Sequence, residues 1–146
     1  MEPYDPSLTI YRKKFSNYLP WHAHITCLTV APGARRLGLA TKLSEALEVA
    51  GDEADGWFVD LFVRVENVAA IKLYKKMGYD TYLLTQFCHD VLLTISIRYS
   101  VYRRIVDYYA DGADAFDMRK PLMRDKQRKT VRPNGENIKV DPSEVW

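Results

Sequence analysis

A cradle for a diphosphate can be read in Val30-Ala31-Pro32-Gly33-Ala34-Arg35-Arg36-Leu37-Gly38-Leu39-Ala40, where an apolar strand pattern meets a small-residue turn and then a helical pattern. Backbone N–H groups at a helix start point outward with the positive end of the dipole behind them, which suits an anion. Gly38 and Ala40 have no bulk to keep a phosphate away, and Arg35 and Arg36 add charge beside the same turn. The other side chains with chemistry to offer are His22, His24, Cys27, Tyr74, Tyr108 and Tyr109. A tyrosine holds its proton at neutral pH and can donate it, and an imidazole can bond to either a carboxylate or an amide. No basic neighbour in sequence activates Cys27, so a core thiol is expected there rather than a nucleophile.

Positioning these groups requires a sheet flanked by helices. His24 to Val30 is rich in β-branched residues, and Pro32 and Gly33 stop it. From Arg36 to about Ala54, Leu37, Ala40, Leu43, Leu47 and Ala50 recur at three- and four-residue steps, the pattern of an amphipathic helix lying on a sheet. Trp57 to Val65 reads as a nearly continuous apolar strand interrupted by Asp60, covered on both faces. Asn67 is suited to cap a helix from Val68 to Met77, which Gly78 ends.

Strand, helix, strand and helix in that order form a βαβα unit whose right-handed crossover makes the two strands parallel. Val101 to Tyr109 and Ala115 to Arg119 then supply two closing strands about an Asp111-Gly112 turn. His22 and His24 are expected to face opposite sides of the first strand, so that only one of them can serve a site on a given face. Tyr108 and Tyr109 point to opposite faces unless the strand end twists or bulges.

At 146 residues, with 47% hydrophobic and 27% charged residues, the chain fits one modest globular domain. A net charge of +2 with both signs interspersed argues against nucleic-acid binding by bulk electrostatics. Cys27 and Cys88 form neither a disulfide framework nor a metal-ligand cluster, so no metal is expected. No signal peptide or membrane-spanning run is apparent, which points to a cytoplasmic protein away from membranes. Residues 1–20 read as an irregular lead-in, 21–120 as the domain and 121–146 as a flexible charged tail.

The segment Arg35 to Ala40 fits the R-x-x-G-x-A form of the acetyl-CoA pyrophosphate pattern of the GNAT acetyltransferases. Trp21-His22-Ala23-His24-Ile25-Thr26 precedes it. Phe58-Val59-Asp60-Leu61-Phe62-Val63-Arg64-Val65, Tyr74-Lys75-Lys76-Met77-Gly78-Tyr79 and Ile105-Val106-Asp107-Tyr108-Tyr109 follow in order. Together these blocks resemble the catalytic subunits of the NatB N-terminal acetyltransferases, over roughly residues 20–79 and 100–120. The resemblance implies an α/β GNAT fold, incomplete, comprising the C-terminal half of a mixed sheet with flanking helices. It also implies acetyl transfer from acetyl-CoA to the α-amine of nascent chains starting Met-Asp, Met-Glu, Met-Asn or Met-Gln, with an auxiliary subunit and the ribosome as partners.

By the same resemblance, backbone groups of Leu28 and Val30 hold the acetyl and pantetheine amides, and N–H groups from Arg36 through Gly38 and Leu39 to Ala40 hold the phosphates. Tyr74 donates to the departing sulfur, His24 reads the second residue of the peptide, and Tyr108 and Tyr109 lie at the peptide entrance. Asn67 has a plain capping role, with a contact to the coenzyme as the alternative. The rival readings of His24, Tyr74 and the tyrosine pair are a strand-end histidine, a core phenol and rim packing.

Two departures from the family stand out. Residues 1–20 show no counterpart of the family's first strands and two helices, and residues 80–99 read as an insertion originating as translated intron or a gene-model error. A catalytically inactive fragment that binds acetyl-CoA or the auxiliary subunit without turnover is therefore the alternative function. An acetyltransferase of different specificity is a third.

Overall fold

The computed structural model describes residues 19–77 and 99–145. Within them the order is β1 (Ala23–Ile25), α1 (Leu39–Glu53), β2 (Phe58–Arg64), α2 (Val68–Lys76), β3 (Ser100–Ile105), β4 (Ala115–Pro121) and β5 (Lys139–Val140), with short 3-10 turns at Pro32–Ala34, Gly135–Asn137 and Pro142–Glu144. The described strands form one mixed sheet in the order β1-β2-β4-β3-β5. β1 and β2 run parallel across the α1 crossover, as the βαβ rule requires, while β4 lies antiparallel to both β2 and β3.

Period-2 alternation divides the sheet into two unlike faces. Ala23, Ile25, Val59, Leu61, Val63, Val101 and Met118 form the apolar face, packed with Tyr74, Met77, Leu47 and Ile71 from the helices. The in-register neighbours of these residues put Asp60, Asp117, Arg119 and Arg103 on the opposite face, all buried. Two arginines there share one carboxylate. Arg103 Nε donates to Asp117 Oδ2 at 2.9 Å, and Arg119 donates through Nε and Nη2 at 3.1 and 2.9 Å.

Three elements differ from the sequence reading. Hydrogen-bonded pairing of β1 ends at Ile25, well before Val30. α1 begins at Leu39 rather than Arg36, because Arg36 (φ 64°) and the N-cap Gly38 (φ 76°) both occupy the left-handed region, where a right-handed helix cannot start. β3 stops at Ile105, and the left-handed Asp107 (φ 50°) takes Tyr108 and Tyr109 out of the strand into a turn. The expected ends of α2 at Gly78 and of the inserted stretch before Tyr99 lie outside the described residues.

The segment after Pro121 is not a free charged tail. Leu122, Asp125, Thr130 and Val145 are buried, and β5 adds to β3 in parallel. Composition suggested a tail because large apolar residues are sparse there. Polar groups do much of the anchoring instead: Asp125 accepts from the backbone N–H groups of Lys129 and Thr130, and Arg103 donates to the carbonyls of Glu144 and Val145 at 3.1 and 3.3 Å. Gly135 lies so close to β3 that a Cβ there would stand 2.0 Å from the Val101 carbonyl oxygen. Gly135→Ala should therefore destabilise the protein by about 1–3 kcal/mol. Thermal unfolding together with faster proteolytic cleavage within residues 122–145 is the expected readout, and an unchanged midpoint and cleavage rate would contradict this packing.

Candidate active site

Where β1 ceases to pair with β2, a cleft opens. The last paired residues are Ile25 and Leu61, and beyond them the two segments line opposite sides of a cavity of about 240 Å³. Ile25, Thr26, Cys27 and Leu28 lie on one side and Leu61, Phe62, Val63 and Arg64 on the other, with Asn67, Ala70, Tyr74 and Tyr109 completing the lining. A slot between the two parallel strands is thus present, formed by a β1 shorter than the sequence pattern suggested.

At the far end of this stretch the chain turns into α1. The first bond of the helix runs from the Lys42 N–H to the Gly38 carbonyl at 3.0 Å, so the N–H groups of Leu39, Ala40 and Thr41 precede any intrahelical partner. A Cβ on Gly38 would meet nothing within 4 Å, so glycine is required here by its positive φ rather than by crowding. Both arginines are exposed; Arg35 turns back, donating from Nε to the Val30 carbonyl at 3.1 Å, which leaves Arg36 as the outward guanidinium. The turn therefore has open donors and one outward guanidinium, which is a donor set that fits a diphosphate.

Tyr74 is 8% exposed, on the inner face of α2, and lines the cleft. Burial first, and then the nearby Cys27 thiol, push its phenol above the ordinary tyrosine value, so it remains a proton donor across the neutral range. Its ring lies 5.7 Å from that of Tyr99, whose hydroxyl is shifted further in the same direction by burial and the Glu48 carboxylate. Cys27 itself is exposed at the cleft wall, which corrects the expectation of a core thiol. The residues after Ile25 leave the sheet, so their side chains do not alternate into the core.

Asn67 caps α2 by accepting from the Ala70 N–H at 3.2 Å, and it also lines the cleft. Tyr108 and Tyr109 come together despite being consecutive, because the turn after Ile105 frees them from strand alternation; their rings meet edge to face at 5.1 Å. Tyr109 lines the cleft beneath the Arg64 guanidinium, 4.0 Å from its ring centroid, and Arg64 is held by a two-point ion pair with Asp111. Tyr108 packs against Phe62. Thr26, Phe62 and Arg64 escaped the sequence reading, yet Phe62 and Arg64 follow Asp60 at two-residue steps along β2, so strand periodicity could have flagged those two.

The two histidines do not point to opposite sides. Residues two apart in an extended segment share a face, and both rings turn to one carboxylate. His24 Nδ1 lies 2.7 Å from Asp60 Oδ1, and His22 Nε2 lies 3.8 Å from Asp60 Oδ2. His22 is also fixed by its Nδ1–H to the Pro20 carbonyl at 2.7 Å and by parallel stacking on Phe58. Among the described residues, no group of three His, Cys, Asp or Glu side chains is placed to hold a metal ion.

Residues 8–79 match the acetyltransferase (GNAT) family. The N-terminal acetyltransferase B complex catalytic subunit naa20 of Schizosaccharomyces pombe is 42% identical over 97% of this chain and 71% of its own length. The chain belongs to the GNAT acetyltransferases, on the branch of the NatB catalytic subunits. The NatB catalytic subunit NAT3 of Saccharomyces cerevisiae is 41% identical over 86% of this chain and 62% of its own length. A crystal structure of Chaetomium thermophilum Naa20 with a bisubstrate analogue superposes at a TM-score of 0.73 and 50% identity, covering 88% of this chain and 62% of that one. This GNAT chain therefore spans roughly three fifths to seven tenths of the length of these three relatives.

Alkaline titration tests the buried tyrosine pair of this acetyltransferase fold. The phenols of Tyr74 and Tyr99 are raised in the folded state, so the folded chain binds their protons more tightly than the unfolded chain does. Their contribution to stability is fully present below the ordinary tyrosine value of about 10 and is lost as pH rises through the folded values. Denaturant unfolding at increasing pH should show stability falling above that point, less steeply in Tyr99→Phe. An identical slope in the variant would contradict the shift.

Proposed function

We propose that the chain transfers acetyl from acetyl-CoA to the α-amine of peptides starting Met-Asp, Met-Glu, Met-Asn or Met-Gln, as a NatB catalytic subunit. The observation that carries this reading is the cleft at the parting of β1 and β2, with Tyr74 in its wall, followed along the chain by the open start of α1. The N–H groups from Arg36 through Gly38, Leu39 and Ala40 take the phosphates with Arg36, while Arg35 stiffens the turn. Leu28 and Val30 present backbone groups to the acetyl and pantetheine amides, and the Val30 carbonyl also accepts from Arg35. Asn67 both caps α2 and borders the coenzyme.

In the reaction the neutral α-amine attacks the thioester carbonyl, and the C–S bond breaks as the tetrahedral oxyanion collapses. An α-amine with a pKa of about 7.7–8.0 is partly neutral at cellular pH. The Tyr74 phenol donates a hydrogen bond and then its proton to the departing thiolate. Tyr108 and Tyr109 border the peptide backbone, and His24 meets the side chain of the second residue. An auxiliary subunit and the ribosome are the proposed partners in the cytoplasm. Among the described residues no helix is long and apolar enough to cross a membrane. An inactive fragment is the less favoured reading, because the cleft and the tyrosine proton donor are both present.

Co-expression with a NatB auxiliary subunit, followed by assay with acetyl-CoA and peptides starting Met-Asp, Met-Leu or Ser, tests the proposal. Selective acetylation of Met-Asp is expected, and turnover of another peptide class or coenzyme binding without turnover would overturn it. Tyr74→Phe should lower kcat by about 10²- to 10⁴-fold while leaving coenzyme binding intact. Gly38→Leu places a side chain where φ is +76° and should abolish coenzyme binding measured by calorimetry; unchanged affinity would move the phosphates elsewhere.

A further inference from the structure

We propose that Asp60 is a specificity-determining positioning residue, holding the His24 ring so that one imidazole nitrogen serves acidic and amide side chains alike at the second position of the peptide. The inference rests on the reading of His24 given above and concerns a residue that does not itself touch the peptide.

Asp60 stands opposite His24 in the β1–β2 register, with its side chain 4% exposed and Oδ1 2.7 Å from His24 Nδ1. A carboxylate can only accept at that distance, so Nδ1 carries the proton and the ring is fixed in one tautomer and one orientation. Nε2, on the far side of the ring, is left for other partners. The ring itself packs at 5.1 Å against Phe62, a wall of the cleft, so His24 stands behind that wall rather than in the lining itself.

The surroundings leave Asp60 to the histidines. Arg119, its in-register neighbour on β4, commits its guanidinium fork to Asp117, which also receives Arg103. His22, whose Nδ1–H donates to the Pro20 carbonyl, presents Nε2 to Asp60 Oδ2 at 3.8 Å. Among the described residues the ion-pair partners of Asp60 are thus two imidazoles, one oxygen facing each.

A bare Nε2 accepts from the carboxamide of Asn or Gln. A protonated Nε2 donates to the carboxylate of Asp or Glu, and the positive ring then lies between two negative groups, with Asp60 behind it. The Asp60 charge therefore matters for acidic peptides and is dispensable for amide peptides. Asp60→Asn keeps size and an acceptor oxygen while removing the charge, and that asymmetry separates positioning from mere structural support.

The test uses the chain co-expressed with a NatB auxiliary subunit. For Asp60→Asn, kcat/KM on a Met-Asp peptide should fall about tenfold, the difference between a charged and a neutral hydrogen bond, chiefly through KM. The Met-Asn peptide should change less than about twofold on the same reasoning. An equal fall on both peptides, or no fall on either, would overturn the role. Independently of turnover, nitrogen-15 spectra of the His24 ring should show the proton resident on Nδ1, and Asp60→Leu should release it to both nitrogens. A wild-type ring without that preference would overturn the pairing. A wild-type enzyme lacking selectivity for Met-Asp while the ring remains fixed would instead refute the peptide-specificity reading from which the inference starts.

Discussion

Everything in the site depends on where the hydrogen bonds between β1 and β2 stop. Parallel pairing holds Ala23, His24 and Ile25 against Val59, Asp60 and Leu61 and then ends, while β2 continues in register with β4 over its whole length. One wall of the cleft is therefore anchored in the middle of a sheet and the other is backbone released from it. Released backbone is half-exposed or exposed and keeps N–H and C=O groups that no sheet partner takes. That makes the segment after Ile25 a natural place for a ligand with amides of its own.

Beneath the cleft, two unlike faces of one sheet share the work. The helix-covered face is apolar and supplies burial, and it sets Tyr74 in its place on α2. The other carries His22, His24, Asp60, Asp117, Arg119 and Arg103, in contact with aromatic rings such as Phe58 and Tyr102. Buried ion pairs of this type add little net stability over apolar packing, but removing one partner is costly, on the order of 3–5 kcal/mol. The pairs sort themselves by partner: Arg103 and Arg119 meet on Asp117, and the two histidines meet on Asp60.

Much of the scaffold was legible from residue pattern. The parallel strands, the α1 crossover and the Asn67 cap follow from the residue pattern, whereas Gly38, read as lying within a helix begun at Arg36, stands before it as the cap. The ends of elements were less legible. Nothing in a window around Arg36 announces a left-handed residue, and the early close of β3 depends on Asp107 adopting the same conformation. The facing of His22 and His24 could have been deduced, since strand period alone puts them together. Asp60 looked like an interruption of an apolar strand because its partners lie 36 and 38 residues upstream, beyond any local pattern. The anchoring of residues 122–145 was hidden for a related reason: polar groups that bury themselves against each other have the composition of a solvated segment.

The grip of Arg103 on the Glu144 and Val145 carbonyls ties the last turn of the described chain to the third strand of the sheet. Loss of residues 144–145 would therefore do more than trim a surface. It would leave a guanidinium at the centre of the fold with two of its donors unanswered, so damage made there would be felt about 40 residues away in sequence, beside the carboxylate that also steadies Arg119.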